Sequence, residues 1–160
     1  MIIGDPRSTQ DGIIFRFENA TVHEFFAKVT KEGVIYYREH IPYKNGGIHI
    51  GRTIKVVNDM LEYARNVYER FKYAGLCTIK LELGNIRNMR LTTDQGRFLR
   101  GNYTFDEDRV LIIEQEAPLA RITQHPASVV ESVVIEFCRS FGFSITEEVV
   151  KEYFTSMLEK

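Results

Sequence analysis

The stretch that decides the fold runs from Arg52 to Leu83 and reads RTIKVVNDMLEYARNVYERFKYAGLCTIKLEL. In its first part apolar residues recur every three or four positions, which places them on one face of a helix. We expect Thr53 to cap this helix and Gly75 to end it. From Leu76 to Leu83 apolar and polar residues alternate, a pattern typical of a half-buried strand. The predicted inward helix positions are Ile54, Val57, Leu61, Ala64, Tyr68 and Phe71.

Short extended segments are predicted on both sides of this stretch. Between Asp11 and Ile41 three strands are expected, with Val22–Thr30 and Val34–His40 forming a hairpin. Pro42 to Gly51 is dense in turn residues and predicts a loop. Two further extended segments, 86–92 and 95–105, should pair through a turn. Another strand is expected from Val110 to near Glu116, and its continuous apolar run predicts that both of its faces are covered.

The end of the chain changes to helical spacing. Pro126 is expected just inside one helix start, and Ser144 with Glu147 has the spacing of a capping box at the next. Val149 should then face inward. These patterns predict an α+β fold with a mostly antiparallel sheet, packed by one long amphipathic helix and followed by two C-terminal helices. We expect a single domain over residues 1–160, with an irregular lead-in at residues 1–10.

Composition limits the classes of function. The 160 residues carry 21 Lys and Arg against 22 Asp and Glu, so the net charge of -1 provides no global attraction to nucleic acid or membrane. The N-terminus lacks a signal-peptide pattern and no run is long enough to span a membrane, which predicts a cytoplasmic protein without a membrane partner. Cys77 and Cys138 fall in apolar patterns and are expected to be buried thiols. No metal-ligand spacing and no cofactor motif is found.

An arginine-rich segment is the strongest candidate for binding. Only Asp94 opposes its positive charges between residues 85 and 103, and aromatic residues are interleaved with the arginines. Arginine on a β-hairpin with aromatic neighbours suits phosphate contacts and base stacking. The alternative is internal pairing with acidic residues such as Glu114 and Glu116. The predicted nucleic-acid-binding residues are Arg87, Arg90, Arg97, Arg100 and Tyr103.

A glycine-rich segment precedes the long helix. Because helix N-termini bind anions, Gly46, Gly47 and Gly51 are candidates for an anion site. The segment lacks the Lys-Ser/Thr pair of a P-loop, and a tight chain reversal is the alternative interpretation. His40 and His49 flank the same segment, so they are the best candidates for general acid-base chemistry. The alternative places both histidines at the surface beside a loop.

Several quoted runs bear a family resemblance. Gly51-Arg52-Thr53-Ile54, the residues 60–68 and 73–76, and Leu83-Gly84-Asn85-Ile86-Arg87 are similar to the region beyond the AlbA-type domain of Schlafen-like bacterial proteins. Phe141-Gly142-Phe143 resembles the end of that region. The resemblance implies an accessory C-terminal domain and supplies no catalytic residue. It also implies a neighbouring AlbA-type domain, which is associated with DNA binding, as a partner.

The sequence therefore predicts a non-enzymatic accessory or interaction domain of a bacterial DNA-associated, regulator-like protein. Nucleic acid and a second copy of the chain are the other expected partners. The alternative is a small enzyme acting on nucleotides or nucleic acid through His40, His49 and the segment Gly46–Gly51.

Overall fold

A computed structural model describes residues 7–18, 24–30, 33–39, 47–93 and 101–158. The chain divides into two compact units, Met1–Pro42 and Tyr43–Lys160, and each is described by itself. The prediction that residues 1–160 form one domain stays a prediction.

The first unit is an antiparallel sheet of four strands. They are β1 (Arg7–Thr9), β2 (Gly12–Glu18), β3 (Glu24–Thr30) and β4 (Ile35–Glu39), and they lie side by side in chain order. The predicted pairing of the last two is confirmed, with Val29 opposite Ile35. Each strand therefore pairs with its neighbour in the sequence.

The predicted irregular lead-in is wrong for Arg7–Thr9, which forms β1 and pairs with β2. Thr9 is the partner of Gly12, so only Gln10 and Asp11 connect the two strands. A two-residue connection is the commonest hairpin loop. The pattern gave no indication of a strand because this short edge strand carries polar residues in place of an apolar alternation.

The second unit contains the remaining strands and all the described helices. In this unit β5 pairs with β7 in parallel, and β6 pairs with β8 in antiparallel register. The α+β class is confirmed, with the described strands divided among three sheets. The two predicted C-terminal helices, α3 and α4, are preceded by a short one, α2. The elements are β5 (Gly47–His49), α1 (Ile50–Arg70), β6 (Leu76–Leu83), β7 (Arg90–Thr92), β8 (Leu111–Pro118), α2 (Leu119–Gln124), α3 (Pro126–Ser140) and α4 (Glu147–Leu158).

The long helix α1 differs from its prediction at both ends. It begins at Ile50, and Thr53 lies inside it, where the hydroxyl donates to the main-chain carbonyl of His49 at 3.2 Å. Such a bond to residue i-4 is open to threonine within a helix, so Thr53 does not act as the cap. The helix ends before Gly75, and Lys72 adopts the left-handed conformation with φ 52°.

The predicted inward face of α1 is confirmed for Ile54, Val57, Leu61 and Ala64, which are buried. Phe71 is an exception, because it follows the end of the helix and is 73% exposed. The helix packs mainly against α3 and also contacts α2, α4 and β5. The hydrophobic core of this unit is centred on α1 and α3. Its largest fully buried side chain is that of Phe137 on α3.

The antiparallel pair β6–β8, named here the ribbon, follows its prediction closely. β6 spans Leu76–Leu83 as expected, and its buried and exposed residues alternate. The prediction that β8 is covered on both faces is wrong, since Ile112 is 52% exposed opposite Glu82. Among the described elements, helices that include α2 and α3 cover one face of the ribbon, and the residues of its other face are exposed.

The C-terminal helices begin close to their predicted positions. α3 starts at Pro126 as expected, and α4 starts at Glu147. In the first turn of α4 the side chain of Glu148 accepts hydrogen bonds from its own main-chain N–H and from Thr146. These two hydrogen bonds, the main-chain one first, lower the pKa of Glu148. The predicted capping box of Ser144 with Glu147 stays a prediction. Val149 is exposed and Val150 is buried, so the prediction that Val149 faces inward is wrong by one residue.

Candidate nucleic-acid interface

The predicted pairing of the arginine-rich segment is present in its described residues. Residues 86–105 are named here the arginine hairpin. Residues 88–91 in its first arm pair with 103–105 in the second, and an antiparallel bridge joins Arg90 to Thr104. The main-chain bonds run from Asn88 N to Phe105 O (2.7 Å), from Phe105 N to Met89 O (3.1 Å) and from Leu91 N to Tyr103 O (3.0 Å).

The hairpin lies beside the glycine-rich segment. Its strand β7 pairs in parallel with β5, with Gly47 opposite Arg90 and His49 opposite Thr92. The sequence treats these as separate candidate sites, and the fold brings their described parts together. Nothing local to either segment indicates this pairing, since their partners are more than forty residues apart in the chain.

Arg87 is a surface cation with one acidic neighbour. Its Nη1 lies 3.1 Å from the Oδ2 of Asp108, and the two side chains are 58% and 81% exposed. Exposed ion pairs contribute only about 0.2–1 kcal/mol, so water or a phosphate can replace this carboxylate at small cost. The acidic neighbour is Asp108, while Glu114 and Glu116 lie on β8 opposite Lys80 and Thr78.

Arg90 is half-buried in the first arm of the hairpin. Its Nη2 donates to the main-chain carbonyl of Gly101 at 3.2 Å, a bond that links the two arms. Gly101 has φ +126°, a conformation that favours glycine. Arg97 and Arg100 lie outside the described residues, so their role stays a prediction.

Tyr103 packs within the fold. Its ring centroid lies 4.7 Å from that of Phe143 at an interplanar angle of 57°, a separation typical of favourable aromatic pairs. A Cβ on Gly101 would come within 3.0 Å of the same ring. The ring therefore holds the second arm against the segment after α3. Its predicted role in stacking on a base stays a prediction.

The glycines have structural roles where they are described. The predicted loop is wrong for residues 47–51, because Gly47–His49 forms β5 and α1 follows directly. A Cβ on Gly47 would overlap the Cγ2 methyl of Thr92, and Gly51 is buried in the first turn of α1. Close chain packing thus accounts for Gly47. Gly46 lies outside the described residues, and an anion site here stays a prediction.

His49 is held by a main-chain contact. Its Nδ1 lies 2.9 Å from the carbonyl oxygen of Thr93, so the protonated Nδ1 donates and Nε2 is left for any acid-base chemistry. His40 lies outside the described residues, and its convergence with His49 stays a prediction.

Sequence reasoning missed two contacts of the candidate residues, that of Thr93 with His49 and that of Asp108 with Arg87. For Asp108 a signal existed, because it ends the acidic run 106–108.

The two cysteines are buried in the core, as predicted, and offer little thiolate. Burial raises the pKa of Cys138 to about 12 and also raises the pKa of Cys77. The thiolate is the nucleophilic form of cysteine, so both side chains are poor nucleophiles at neutral pH. Among the described residues no group of three or more His, Cys, Asp and Glu side chains could hold a metal ion.

In the comparisons with known proteins, no family model, curated protein or solved structure matches the chain. The resemblance to the region beyond AlbA-type domains consequently depends on the quoted residues alone. Among the described helices, none combines the length and the apolar character that a membrane crossing requires.

Proposed function

We propose that this chain is a non-enzymatic accessory domain of a bacterial DNA-associated regulator, and that it contacts nucleic acid through the arginine hairpin. The observation that carries the proposal is the pairing of residues 88–91 with 103–105. In the sequence Arg97 and Arg100 lie between these two arms. Residues 86–105 therefore contain four arginines.

The contacts of the described arginines favour binding to a phosphate backbone. Arg87 lies beside the exposed carboxylate of Asp108, which a phosphate can displace. Arg90 uses one nitrogen to join the arms, so it both shapes the hairpin and contributes charge. Phosphate contacts of this kind provide affinity and position without reading sequence.

The described contacts of the glycine-rich segment are structural ones. Gly47 is packed against Thr92, and the Nδ1 of His49 is engaged by a main-chain carbonyl. Both contacts hold β5 against β7. The partners expected in addition to nucleic acid are a neighbouring AlbA-type domain and a second copy of this chain, in a cytoplasmic setting.

Titration of a labelled DNA duplex tests the proposal. A hairpin variant combines Arg87→Gln, Arg90→Gln, Arg97→Gln and Arg100→Gln. We expect the wild-type chain to bind at low salt and the variant to lose at least tenfold in affinity. The slope of log K against log salt should fall by about 0.9 for each phosphate contact removed.

A helix control variant separates a local effect from the loss of net charge. It combines Arg65→Gln, Arg70→Gln, Arg121→Gln and Arg139→Gln, which remove the same charge from α1, α2 and α3. Circular dichroism should show that all three proteins are folded. Equal loss of binding in the two variants, or no binding by the wild-type chain, would exclude the hairpin as the interface.

A further inference from the structure

The ribbon has two outer edges, because β6 and β8 pair with each other and with no further strand among the described residues. An outer edge is the side of each strand that faces away from the other strand. It presents main-chain N–H and C=O groups to which another strand can add. Each ribbon strand has eight residues, which is longer than the usual length of about five or six. The outer edges are therefore long enough for strand addition.

The register of the ribbon determines which main-chain groups of β6 point outward. The N–H of Leu119 donates to the carbonyl of Gly75 at 2.9 Å, so these two residues are a hydrogen-bonded pair of the antiparallel ladder. Such pairs alternate with pairs that are not hydrogen-bonded. Residues 77, 79, 81 and 83 therefore bond to β8. Residues 76, 78, 80 and 82 direct their main-chain groups to the outer edge.

The outer edge of β6 is blocked at its first residue and open after it. The hydroxyl of Tyr73 donates to the carbonyl of Leu76 at 2.8 Å, which engages the outward carbonyl there. Within the described part of the chain, the outward main-chain groups of residues 78–82 have no hydrogen bond. A Cβ added to Gly84, just beyond the strand, would meet no described atom within 4 Å. A second chain thus has access to the later part of this edge.

The charges on this edge complement each other when two copies of β6 run antiparallel. The side chains of Lys80 and Glu82 lie on the exposed face of the ribbon, and they are 47% and 55% exposed. With Leu81 on a two-fold axis, Lys80 of each copy lies opposite the partner's Glu82. Both residues direct their main-chain groups outward, so these charged pairs are also the hydrogen-bonded pairs of the new ladder. Charge and main-chain pairing therefore agree in this register.

Neighbouring registers lack this agreement. A shift that puts Lys80 or Glu82 on the axis places like charges directly opposite each other, which is destabilising. A shift that puts Ile79 on the axis leaves Glu82 opposite Leu76, whose carbonyl is already engaged. The register with Leu81 on the axis is thus the favoured one.

The partial burial of Leu81 supports the same register. Leu81 lies on the covered face of the ribbon with Ile79 and Leu83, which are each 5% exposed, but it is itself only half-buried. Across the axis it would meet the partner's Leu81 in a pair that is not hydrogen-bonded, where side chains approach most closely. A second copy would therefore complete the burial of this side chain.

The outer edge of β8 is less suited to a second copy. Pro118 has no N–H to donate. The exposed charged residues of this strand, Glu114 and Glu116, are both acidic, so two copies of this edge repel each other. Self-complementary charge is a property of the β6 edge.

We infer that two copies of this chain associate through the outer edge of β6, with Leu81 at the two-fold axis, and join their ribbons into one four-stranded antiparallel sheet. Edge pairing leaves the exposed face of the ribbon in water. The interface is small, so the dimer is weak and depends on concentration. The inference rests on the proposed function only in taking a second copy as a partner, and it uses no residue of the arginine hairpin.

Charge reversal followed by analytical ultracentrifugation tests the inference. The wild-type chain should dimerise at concentrations on the order of 0.1 mM. Lys80→Glu and Glu82→Lys each place like charges opposite each other, so each variant alone should dimerise at least tenfold more weakly. An equimolar mixture of the two should form a heterodimer, because every opposite pair is then of unlike charge.

The double variant Lys80→Glu with Glu82→Lys is the matched control. It keeps the net charge and the unlike pairs, so it should dimerise as the wild-type chain does. A monomeric wild-type chain, association that the single reversals leave unchanged, or assemblies larger than a dimer would overturn the inference. Both residues are exposed, so the reversals leave the fold intact, which circular dichroism checks.

A cysteine at the axis tests the register directly. Cα atoms in a pair that is not hydrogen-bonded are about 4.5 Å apart, which is within the range of a disulfide. Leu81→Cys should therefore give a disulfide-linked dimer with oxidised glutathione. In Thr78→Cys the two introduced thiols are about 20 Å apart along the strands and should not cross-link. Equal cross-linking of the two variants, or none in either, contradicts the inferred register.

The duplex titration decides the proposed function separately when it is carried out below the concentration of dimerisation. A monomeric chain that binds the duplex through the arginine hairpin overturns this inference alone. A chain that dimerises through β6 and does not bind the duplex overturns the proposed nucleic-acid contact alone.

Discussion

The ribbon and the β5–β7 pair lie in the same unit and are specified in opposite ways. The ribbon strands have eight residues each, and the alternation of buried and exposed residues marks them along the chain. β5 and β7 have three residues each and pair in parallel across more than forty residues. Local pattern predicts the first kind of strand, whereas the second forms only in the tertiary context.

This difference matters for function because the candidate residues lie on the less predictable pair. Arg90 is a residue of β7, and Gly47 and His49 belong to β5. The long helix leaves β5 directly and so connects the pair to the core. If the β5–β7 pair is as integral to the fold as the ribbon, then mutations in it should destabilise the whole unit.

The largest expected effect is at the centre of β5. Ile48 is completely buried, so Ile48→Ala should reduce the free energy of unfolding by about 2–5 kcal/mol through lost burial and a residual cavity. Chemical denaturation followed by circular dichroism measures the change. Because α1 begins immediately after β5, we expect a single transition at lower denaturant concentration.

The ribbon offers a matched control for this substitution. Ile112 is on the exposed face of β8, so Ile112→Ala removes the same atoms from a partly hydrated site and should cost about 1 kcal/mol or less. Equal losses from the two substitutions would mean that β5 is not part of the core, and the comparison between the pairs would fail.

A second substitution tests the close approach of β5 to β7. Gly47→Ala adds a methyl group that overlaps the Cγ2 of Thr92. Thr92 is buried and has little room to move, so we expect a loss of about 1–3 kcal/mol of stability from overpacking. The midpoint of thermal unfolding measures it.

Thr92→Ser removes the methyl group that the added Cβ would meet. The double variant Gly47→Ala with Thr92→Ser should therefore be more stable than Gly47→Ala alone, which a double-mutant cycle shows as a favourable coupling. If the two changes were simply additive, the contact between Gly47 and Thr92 would not be what requires glycine.

The fold was predictable from sequence where burial leaves a periodic signal. The inward residues of α1 and the full extent of β6 follow from such periods. The sequence predictions were wrong where a neighbouring element of the fold decides the position of a residue. Thr53 lies within the helix because β5 leads directly into α1 at Ile50, and Ile112 is exposed because it lies on the face of the ribbon that the helices do not cover.

The candidate site was predictable only in part for the same reason. The pairing of the hairpin arms follows from adjacent extended segments, and it is present between residues 88–91 and 103–105. The contact of Arg87 with Asp108 and that of His49 with Thr93 depend on how distant segments meet. Residue type indicates which side chains can bind an anion, but not which of them are already engaged within the fold.

The smallest expected effect is on the exposed face of the ribbon, at Lys80. Its Nζ lies 2.6 Å from the Oε1 of Glu82 on the same strand, and both side chains are about half exposed. The hydrogen bond and then the charge of Glu82, with a further contribution from Glu114, raise the pKa of Lys80 above its ordinary value of 10.5. The folded state therefore favours the charged amine, and this stabilisation is lost as the pH rises through the raised pKa.

Lys80→Met should consequently change the denaturation midpoint only slightly at pH 7, and the change should shrink further in high salt. Thr78→Val, on the same face of β6, serves as a control without charge. A large loss at Lys80, comparable to that at Ile48, would show that the outer face of the ribbon is covered in solution. It would then no longer be a solvent-facing surface, and the contrast with the buried β5–β7 pair would disappear.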